Sequence, residues 1–235
     1  MVEYRDGNSN NLDVYSDGTY QKKGKTLDAK NGEKWEPASG KNVWQNSGTS
    51  IFDPVLCELM YAWFCPEGGR ILDPFAGGSV RGVVAAKMGY QYWGGELRKE
   101  QVKENIKQGQ MIVPENQPTW VCGDSQLTVL SAPRADFVFS CPPYGNMEVY
   151  SNLEEDLSNK GYEEFLVLYK NIIAKACKRL KQNRFACFVV ANFRDSKTGF
   201  YYDLVGDTVR AFEECGVHYY NEGILFTSIG SLPLS

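Results

Sequence analysis

Short apolar runs alternate with helix-like segments through most of the chain, and this alternation limits the possible folds more than any other feature. Four of the runs, "RILDPF", "YQYWGGEL", "TWVCGD" and "ADFVFS", have the length and composition of buried strands. Two further strands are predicted at "RFACFVVAN" and "VHYYNEGILF". Strands separated by helical segments indicate βαβ units. The predicted fold class is therefore α/β, a doubly wound, mostly parallel sheet with helices on both faces.

The beginning of the chain differs in composition from the rest. It is rich in Gly, Asn, Ser, Lys and Asp without an apolar period, which predicts a polar, partly disordered arm over residues 1–45. One ordered domain is expected over residues 46–235. Its first helix should begin with Asp53 as N-cap and Pro54 at the first helical position. The side chains of this helix expected to face the core are Leu56, Leu59, Met60 and Trp63.

Composition excludes several classes of protein. The seven cysteines are odd in number and form no CxxC pair, which indicates reduced thiols in a cytoplasm, with no disulfide framework and no metal site. No run approaches the ~20 apolar residues needed to span a bilayer, so no membrane partner is expected. The net charge of −4 means that any nucleic-acid binding must depend on local patches. The single histidine, His218, lies in an apolar predicted strand, which disfavours mechanisms that need a histidine base.

Glycines or acids follow the first three predicted strands, at the edge where a doubly wound sheet binds ligands. Asp73 and Phe75 precede Gly77, which opens a helix where the backbone can approach a ligand closely. Glu96 lies 23 residues after Asp73, close to the ~20-residue offset at which an acid reaches ribose hydroxyls. Asp124 could accept a hydrogen bond from an amino group such as that of adenine. Neither GxGxxG nor GxxxxGK[ST] occurs, which disfavours dinucleotide or P-loop binding.

The fourth predicted strand ends in Cys141-Pro142-Pro143-Tyr144. The two prolines cannot continue a sheet ladder, so they form a stiff exit that holds the carbonyls and Tyr144 in set directions. Each strand end also has a purely structural interpretation. These are a turn acid at Asp73, a helix-start charge at Glu96, a helix cap at Asp124 and a rigid turn with a packed tyrosine. Four consecutive strand ends so equipped favour a ligand site.

Several of these segments resemble a known family. "DPFAGGS" resembles the methyl-donor loop of the S-adenosylmethionine-dependent DNA amino-methyltransferases, usually Asp-Pro-Phe-x-Gly-Ser-Gly, and "CPPY" resembles their catalytic (Asp/Asn/Ser)-Pro-Pro-(Tyr/Phe) element. "TSIFDPVLCELM" resembles their helix that closes over the methionine end of the cofactor. With "VWQNSGTSIFDP", "SCPPYGNMEVYS" and "NRFACFVVANFRD", these motifs are similar to small methyltransferases of phages and prophages, over about residues 43–235.

The resemblance implies a class I methyltransferase fold, S-adenosylmethionine as cofactor, DNA as partner and a bacterial host cytoplasm. It implies methyl transfer to N6 of adenine or N4 of cytosine. The cofactor-binding residues it implies are Thr49 and Phe52 at the methionine part, Asp73, Phe75 and Gly77 in the loop, Glu96 at the ribose and Asp124 at the adenine amino group. Cys141 to Tyr144 would hold the target base.

This assignment accounts for the Pro-Pro-Tyr exit chemically. An exocyclic amine is a weak nucleophile, because its lone pair is delocalised into the ring. If the strand-end side chain and a proline carbonyl accept its two N–H bonds, the nitrogen is turned toward the methyl group, and positioning supplies much of the rate. Tyr144 can stack on a base flipped out of the helix. No strong base is needed, because the proton is lost after transfer.

The chain departs from the family pattern in three places. Cys141 is a weaker acceptor than Asp, Asn or Ser, although a shift of one residue would place the Ser140 hydroxyl there instead. No separate target-recognition domain is evident, so a homodimer or a partner protein would have to supply one. No residues after "SLPLS" form the last antiparallel strand usual in the family, so this strand is expected to be missing or the chain truncated.

Other functions stay open at this stage. They are the same chemistry on RNA or on a protein glutamine, cytosine-C5 methylation through Cys141, and a non-catalytic S-adenosylmethionine-binding module. The C5 alternative is disfavoured, because the cysteine of those enzymes follows the proline of their motif. One basic patch, expected to be a solvated helix face, comprises Lys175, Lys178, Arg179, Lys181 and Arg184. A second, for which phosphate contact and a solvated arm are equally supported, comprises Lys22, Lys23, Lys25 and Lys30.

Overall fold

The computed structural model describes residues 52–145, 149–195 and 198–226, together with the backbone of residues 12–14 and 20–22. The chain divides into two units. One comprises Asn46–Tyr220, and the other comprises Met1–Gln45 with Asn221–Ser235. The predicted division into an arm over residues 1–45 and a domain over residues 46–235 stays a prediction. Thr49 and the second basic patch, apart from the backbone of Lys22, lie outside the described residues.

The smaller unit contains a short hairpin that the sequence analysis did not predict. Strand β1 (Leu12–Val14) pairs antiparallel with β2 (Tyr20–Lys22), so that Leu12 lies opposite Lys22. An Asp-Gly pair, Asp17-Gly18, lies in the sequence between the two strands, and such a pair is a strong local signal for a hairpin turn. No strand was predicted there, because the arm as a whole shows no apolar period.

The larger unit follows the predicted alternation of strands and helices. Its strands are β3 (Arg70–Asp73), β4 (Gln91–Glu96), β5 (Thr119–Cys122), β6 (Ala135–Ser140), β7 (Leu180–Phe188), β8 (Phe193–Arg194) and β9 (Tyr201–Tyr202). Its helices are α1 (Pro54–Phe64), α2 (Val80–Lys87), α3 (Lys99–Ile112), α4 (Ser125–Thr128), α5 (Tyr162–Arg179) and α6 (Leu204–Glu213), with 3₁₀ turns at Val129–Ser131 and Leu157–Asn159. Within the described residues, no helix is long and apolar enough to cross a membrane.

Five parallel strands form the main sheet in the order β5-β4-β3-β6-β7. The chain adds strands on one side from β3 to β5 and then returns to the other side of β3 with β6. The side on which new strands are added therefore changes between β3 and β6. Ligands of such sheets bind at this switch point, in the crevice beyond the carboxyl ends of the strands. The fold class predicted from the sequence is confirmed.

Both faces of the sheet are covered, so alternate residues of one strand enter different cores. Ile71 and Phe137 pack with α1, α2 and α3, whereas Leu72 and Val138 pack with α5 and the turn that follows α4. Burial on both faces explains why the central strands read as continuous apolar runs. A third cluster, which contains Tyr169, joins α5 to α6 and to the β8–β9 hairpin.

Helix α1 begins as predicted, and Leu56 and Met60 pack against the core as predicted, but the other two positions do not. The Asp53 carboxylate accepts the Val55 amide at 2.8 Å, which confirms the cap. Cys57 and Tyr61 are fully buried, however, and Trp63 is 65% exposed. The predicted inward positions of Trp63 and of Leu59, which is 41% exposed, are wrong. The Tyr61 hydroxyl donates to a backbone carbonyl of α2 at 2.9 Å, and this buried hydrogen bond orients the helix.

The segment that follows α6 differs from the prediction. Residues 217–226 contain no regular element, so the strand predicted at "VHYYNEGILF" is wrong. The preceding strand, predicted at residues 184–192, is β7 at Leu180–Phe188, because α5 ends at Arg179 and the chain enters the sheet at once. A strand is stabilised by hydrogen bonds to a neighbour. Among the described residues β7 is the outermost strand on its side of the sheet, and residues 217–226 do not pair with it.

The contact between α2 and β5 predicts a sharp effect of one added methyl group. A Cβ atom at Gly82 would lie 2.7 Å from Cζ2 of Trp120 and 3.0 Å from Cε1 of Tyr92. We expect Gly82→Ala to lower the free energy of unfolding by about 1–3 kcal/mol, because two packed aromatic rings must move. Urea denaturation measures the change. Gly161→Ala is the control, since nothing lies within 4 Å of a Cβ atom there, and an equal loss in both variants would contradict this account.

Candidate functional site

A hydrogen-bonded bridge joins the carboxyl ends of β3 and β6, where the order of strand addition in the sheet reverses. The Ser140 hydroxyl donates to the Asp73 carboxylate at 2.5 Å and accepts the Phe75 amide at 3.2 Å. Ser140 is fully buried. The glycine loop after β3 and the Pro-Pro-Tyr exit after β6 are therefore fixed side by side. The Ser140 hydroxyl already makes its hydrogen bonds within this bridge. Of the two neighbouring side chains, the more accessible one is therefore Cys141, which is half-buried.

Asp73 is the centre of this arrangement. Its carboxylate is fully buried and accepts Arg81 Nε at 2.6 Å and the Tyr92 hydroxyl at 2.7 Å. Arg81 also donates to the carbonyls of Phe75 and Ala76, at 2.5 and 3.0 Å. The carboxylate is thus occupied by protein donors. Its position supports a role in shaping the loop rather than in touching a ligand.

The charges in this buried group support one another. Burial by itself lowers the pKa of Arg81, but the Asp73 carboxylate more than offsets this and holds the pKa above its ordinary value. Burial, together with the same carboxylate, raises the pKa of Tyr92 well above its ordinary range, so that the tyrosine stays protonated and donates. The Arg81 guanidinium also lies 4.6 Å from the centre of the Phe52 ring, a cation–π contact.

Sequence reasoning identified Asp73 and considered Ser140 only as an alternative acceptor at the exit, and it missed Arg81 and Tyr92. For Arg81 a signal exists, since an arginine stands inside the apolar helix "VRGVVAAK". Arginine is almost never fully buried unless it is paired, so this position predicts a buried acidic partner. The other two carry no such signal. Tyrosine and serine are ordinary strand residues, and only the pairing of strands places them around Asp73.

The loop after β3 combines one anchored ring with one open backbone position. The Phe75 ring lies 6.0 Å from Tyr169 and 6.3 Å from Phe188, so it packs into the third cluster. Gly77 has a φ of +52°, and nothing lies within 4 Å of a Cβ atom built there. The Asn105 side chain of α3 holds the Gly77 carbonyl at 2.8 Å. The loop therefore presents its backbone to open space at Gly77.

Glu96 is a buried carboxylate at the end of β4. Its Oε1 atom accepts the Arg98 amide at 2.8 Å and Arg98 Nε at 3.2 Å. Burial raises the pKa of Glu96, and hydrogen bonds from Arg98 and from the Gly77 amide partly oppose this. The Arg98 guanidinium lies 6.0 Å from the centre of the Tyr150 ring, on the segment that follows the Pro-Pro-Tyr exit. Glu96 thus lies against the loop after β3, and Arg98 approaches the segment after β6.

Asp124 follows β5 and caps the short helix α4. Its carboxylate accepts the Gln126 amide at 2.8 Å and the Gln126 side-chain amide at 3.2 Å. The structural interpretation weighed for this residue, a helix cap, is therefore present. Asp124 is half-buried. A capping carboxylate of this kind remains able to accept a further bond, because each oxygen has two lone pairs.

The Pro-Pro-Tyr exit is compact and half-exposed. Pro142 is buried, whereas Pro143 is half-buried. The Cys141 sulfur lies 4.0 Å from the Tyr144 hydroxyl, and the Tyr144 ring packs against the third cluster. Part of the first basic patch lies away from this edge. In it, Lys181 and Arg184 both bind Asp136, at the opposite, amino end of β6.

Comparison with known proteins supports the fold at a distance. No family model matches the chain, and no curated protein matches its sequence. The structure of a magnesium protoporphyrin IX methyltransferase (ChlM) from Synechocystis, determined with bound S-adenosylmethionine, has a TM-score of 0.50 at 15% identity and covers 74% of each chain. A TehB-like S-adenosylmethionine-dependent methyltransferase from Corynebacterium glutamicum has a TM-score of 0.44 at 19% identity, covering 71% of this chain and 80% of that one.

TrmN from Thermus thermophilus has a TM-score of 0.47 at 18% identity; the match covers 57% of this chain, which spans only 37% of TrmN. Identities this low establish the fold alone. The fold is that of the class I, Rossmann-like methyltransferases, with a mostly parallel sheet between two layers of helices.

The buried pair of Asp73 and Arg81 predicts strong coupling between two residues. We expect Arg81→Met to lower the free energy of unfolding by about 3–5 kcal/mol, because it leaves a buried carboxylate without its cation. Adding Asp73→Asn should cost less than it does in the wild type, since the uncompensated charge is then absent. Urea denaturation of the single and double variants gives the coupling. Arg210→Met, which removes an exposed cation paired with Asp203 and Asp207, should change stability little. Additive losses at positions 73 and 81 would contradict the coupling.

Proposed function

We propose that this chain is an S-adenosylmethionine-dependent methyltransferase that acts on the exocyclic amine of adenine or cytosine in DNA. The observation that carries the proposal is the bridge from Ser140 to Asp73, which fixes the glycine loop beside the Pro-Pro-Tyr exit. The two motifs lie 67 residues apart in the chain and adjoin at one edge of the sheet. The class I fold, and the likeness to a methyltransferase determined with bound S-adenosylmethionine, support the same cofactor here.

The residues beyond β3, β4 and β5 fit this cofactor. The open backbone at Gly77 admits a ligand where a side chain would block it, and the buried Glu96 carboxylate suits a pair of ribose hydroxyls. Asp124 can accept from the adenine amino group. The resemblance assigns Phe52 to the methionine part, and its ring packs on Phe139 with ring centres 5.8 Å apart. When bound, S-adenosylmethionine supplies a methyl group that is electrophilic because it is attached to a sulfonium.

The residues beyond β6 would orient the acceptor. Cys141 and the carbonyl of Pro142 would accept the two N–H hydrogen bonds of an amine, and the prolines would keep both acceptors fixed before the base arrives. Tyr144 offers a ring on which an unstacked base can lie. No base stronger than water is required, because the amine loses its proton only after it has gained the methyl group. The DNA substrate and these roles are parts of the proposal.

The raised pKa of Glu96 predicts a pH-dependent affinity for the cofactor. The ribose hydroxyls donate to a carboxylate, so binding needs the deprotonated form. As the pH falls through the raised pKa of Glu96, the protonated fraction grows and the affinity should fall. Glu96→Gln should remove this dependence, and Glu96→Ala should weaken binding by about 1.5–3 kcal/mol, roughly tenfold or more.

Isothermal titration calorimetry with S-adenosylmethionine between pH 5 and 8 measures these changes. Glu104→Gln is the control, because Glu104 is an exposed acid on α3 that forms an ion pair with an exposed lysine. It should bind like the wild type at every pH, and it reports any titration of the ligand itself. Wild-type affinity in Glu96→Ala would show that Glu96 does not bind the ribose.

The reaction itself is tested by transfer of labelled methyl groups to DNA, followed by mass spectrometry of the nucleosides. We expect N6-methyladenine or N4-methylcytosine. Cys141→Ser should retain or raise activity, since a hydroxyl accepts hydrogen bonds better than a thiol of similar volume. Cys141→Ala should lower the rate without changing cofactor affinity, because it removes an acceptor from the base and none from the cofactor.

Other outcomes would replace the proposal with a named alternative. Formation of C5-methylcytosine, with a denaturant-resistant adduct on 5-fluorocytosine DNA that is lost in Cys141→Ser, would make Cys141 a covalent nucleophile. Methylation of RNA or of a protein glutamine, with none of DNA, would change the substrate class. Tight cofactor binding without transfer to any of these substrates would favour a non-catalytic module.

A further inference from the structure

A small hairpin beside the Pro-Pro-Tyr exit has no role in the site described so far. Strands β8 and β9 pair antiparallel, with Phe193 opposite Tyr202 and Arg194 opposite Tyr201. Because side chains alternate along a strand, the first pair points to one face and the second pair to the other. Phe193 is buried and Tyr202 half-buried, whereas Arg194 and Tyr201 are exposed. The hairpin thus has an inner and an outer face.

The inner face is fixed to the acceptor side of the site. A Cβ atom on Gly145, the residue after Tyr144, would lie 3.1 Å from Cζ of Phe193. The Tyr202 ring stacks on Tyr162 of α5, with ring centres 4.0 Å apart. The hairpin therefore touches the backbone of the proposed acceptor turn directly and is anchored to the same helix that supports the third cluster.

The turn region of the hairpin is held by hydrogen bonds. Asp195 donates its amide to the Phe200 carbonyl at 2.9 Å and accepts the Tyr202 hydroxyl at 3.1 Å. Arg194 donates to the Gly199 carbonyl at 2.8 Å. Its side chain is thereby positioned on the outer face, where the guanidinium lies 4.0 Å from the centre of the Tyr201 ring.

The hairpin exposes two aromatic rings and a cation. Tyr201 on the outer face is 62% exposed, next to the cation of Arg194, and Phe200, which precedes it and alternates to the other side of the strand, is 77% exposed. Burying two large aromatic rings in a partner would be favourable, since exposed apolar surface of this kind is stabilised by removal from water. Aromatic rings with an adjacent arginine are the groups that hold single nucleic-acid strands, by stacking on bases and by contact with phosphates. Two cations of the first basic patch, Lys181 and Arg184, lie instead at the amino end of β6 and are paired with Asp136.

We propose that Arg194, Phe200 and Tyr201 form the surface that holds the nucleotides flanking the target base. This inference rests on the proposed function, because it assumes a nucleic acid at the acceptor turn. The aromatic rings stack on unpaired bases next to the flipped one, and Arg194 meets the backbone phosphate. The hairpin then supplies part of the contact with the target strand.

Binding of a fluorescein-labelled, mixed-sequence single-stranded DNA of about 20 nucleotides, followed by fluorescence anisotropy, tests the proposal. Phe200→Ala and Tyr201→Ala should each weaken binding about tenfold. Arg194→Ala should lower the slope of log affinity against log salt by about one. All three variants should keep wild-type affinity for S-adenosylmethionine and the wild-type melting temperature, because the side chains are exposed.

Matched controls lie at the other edge of the sheet. Trp63→Ala removes an equally exposed aromatic ring, and Lys87→Ala removes an exposed cation, so both should bind DNA like the wild type. Unchanged DNA binding in all hairpin variants, beside a wild type that binds and methylates DNA, would refute the hairpin role and leave the proposed function standing. A wild type that binds no nucleic acid would overturn both. Tighter, hairpin-dependent binding of RNA of the same sequence would support the hairpin and replace DNA as the substrate class.

Discussion

The buried ion pair of Asp73 and Arg81 is the interaction on which the rest of the site depends. A carboxylate with no exposed surface is stable only when its oxygens are bonded, and here Arg81, Tyr92 and Ser140 supply the bonds. These partners come from α2, β4 and the end of β6. One charge therefore specifies how three separate elements meet at β3, and it does so at the cost of burying an ion.

That arrangement determines the shape of the edge at which a ligand would bind. On its inner side, the loop after β3 is fixed by hydrogen bonds from Arg81 to the carbonyls of Phe75 and Ala76. On its outer side, the backbone at Gly77 faces open space. Glu96 borders the same loop from β4. The acceptor turn after β6 is tied to it through Ser140. The loop and the turn proposed to hold the methyl donor and the acceptor are thus fixed side by side by protein contacts alone, and such preorganisation is the condition for positioning to accelerate a reaction.

The two sides of the acceptor turn differ in a way that suits a large substrate. Toward the core, Phe193 and the third cluster pack against Gly145 and Tyr144. Away from the core, Phe200 and Tyr201 remain open. Rings displayed outside the turn would contact little of a small-molecule acceptor, whereas the nucleic-acid strand of the proposed function would continue past a flipped base and reach them.

The sequence by itself determined the order of strands and helices from α1 to β7, the cap at Asp53 and the identity of the residues at the strand ends. These follow from periodicity, from proline and glycine, and from motif resemblance, all of which are local in the chain. Tertiary structure decided what those residues do. Asp73 is bonded to three side chains that no spacing rule connects to it, and Ser140 is enclosed while Cys141 stays half-open. It also decided that α1 turns Tyr61 inward and that residues 217–226 form no strand. The physical reason is that burial, ion pairing and strand pairing depend on which distant segments meet, and a local pattern does not contain that information.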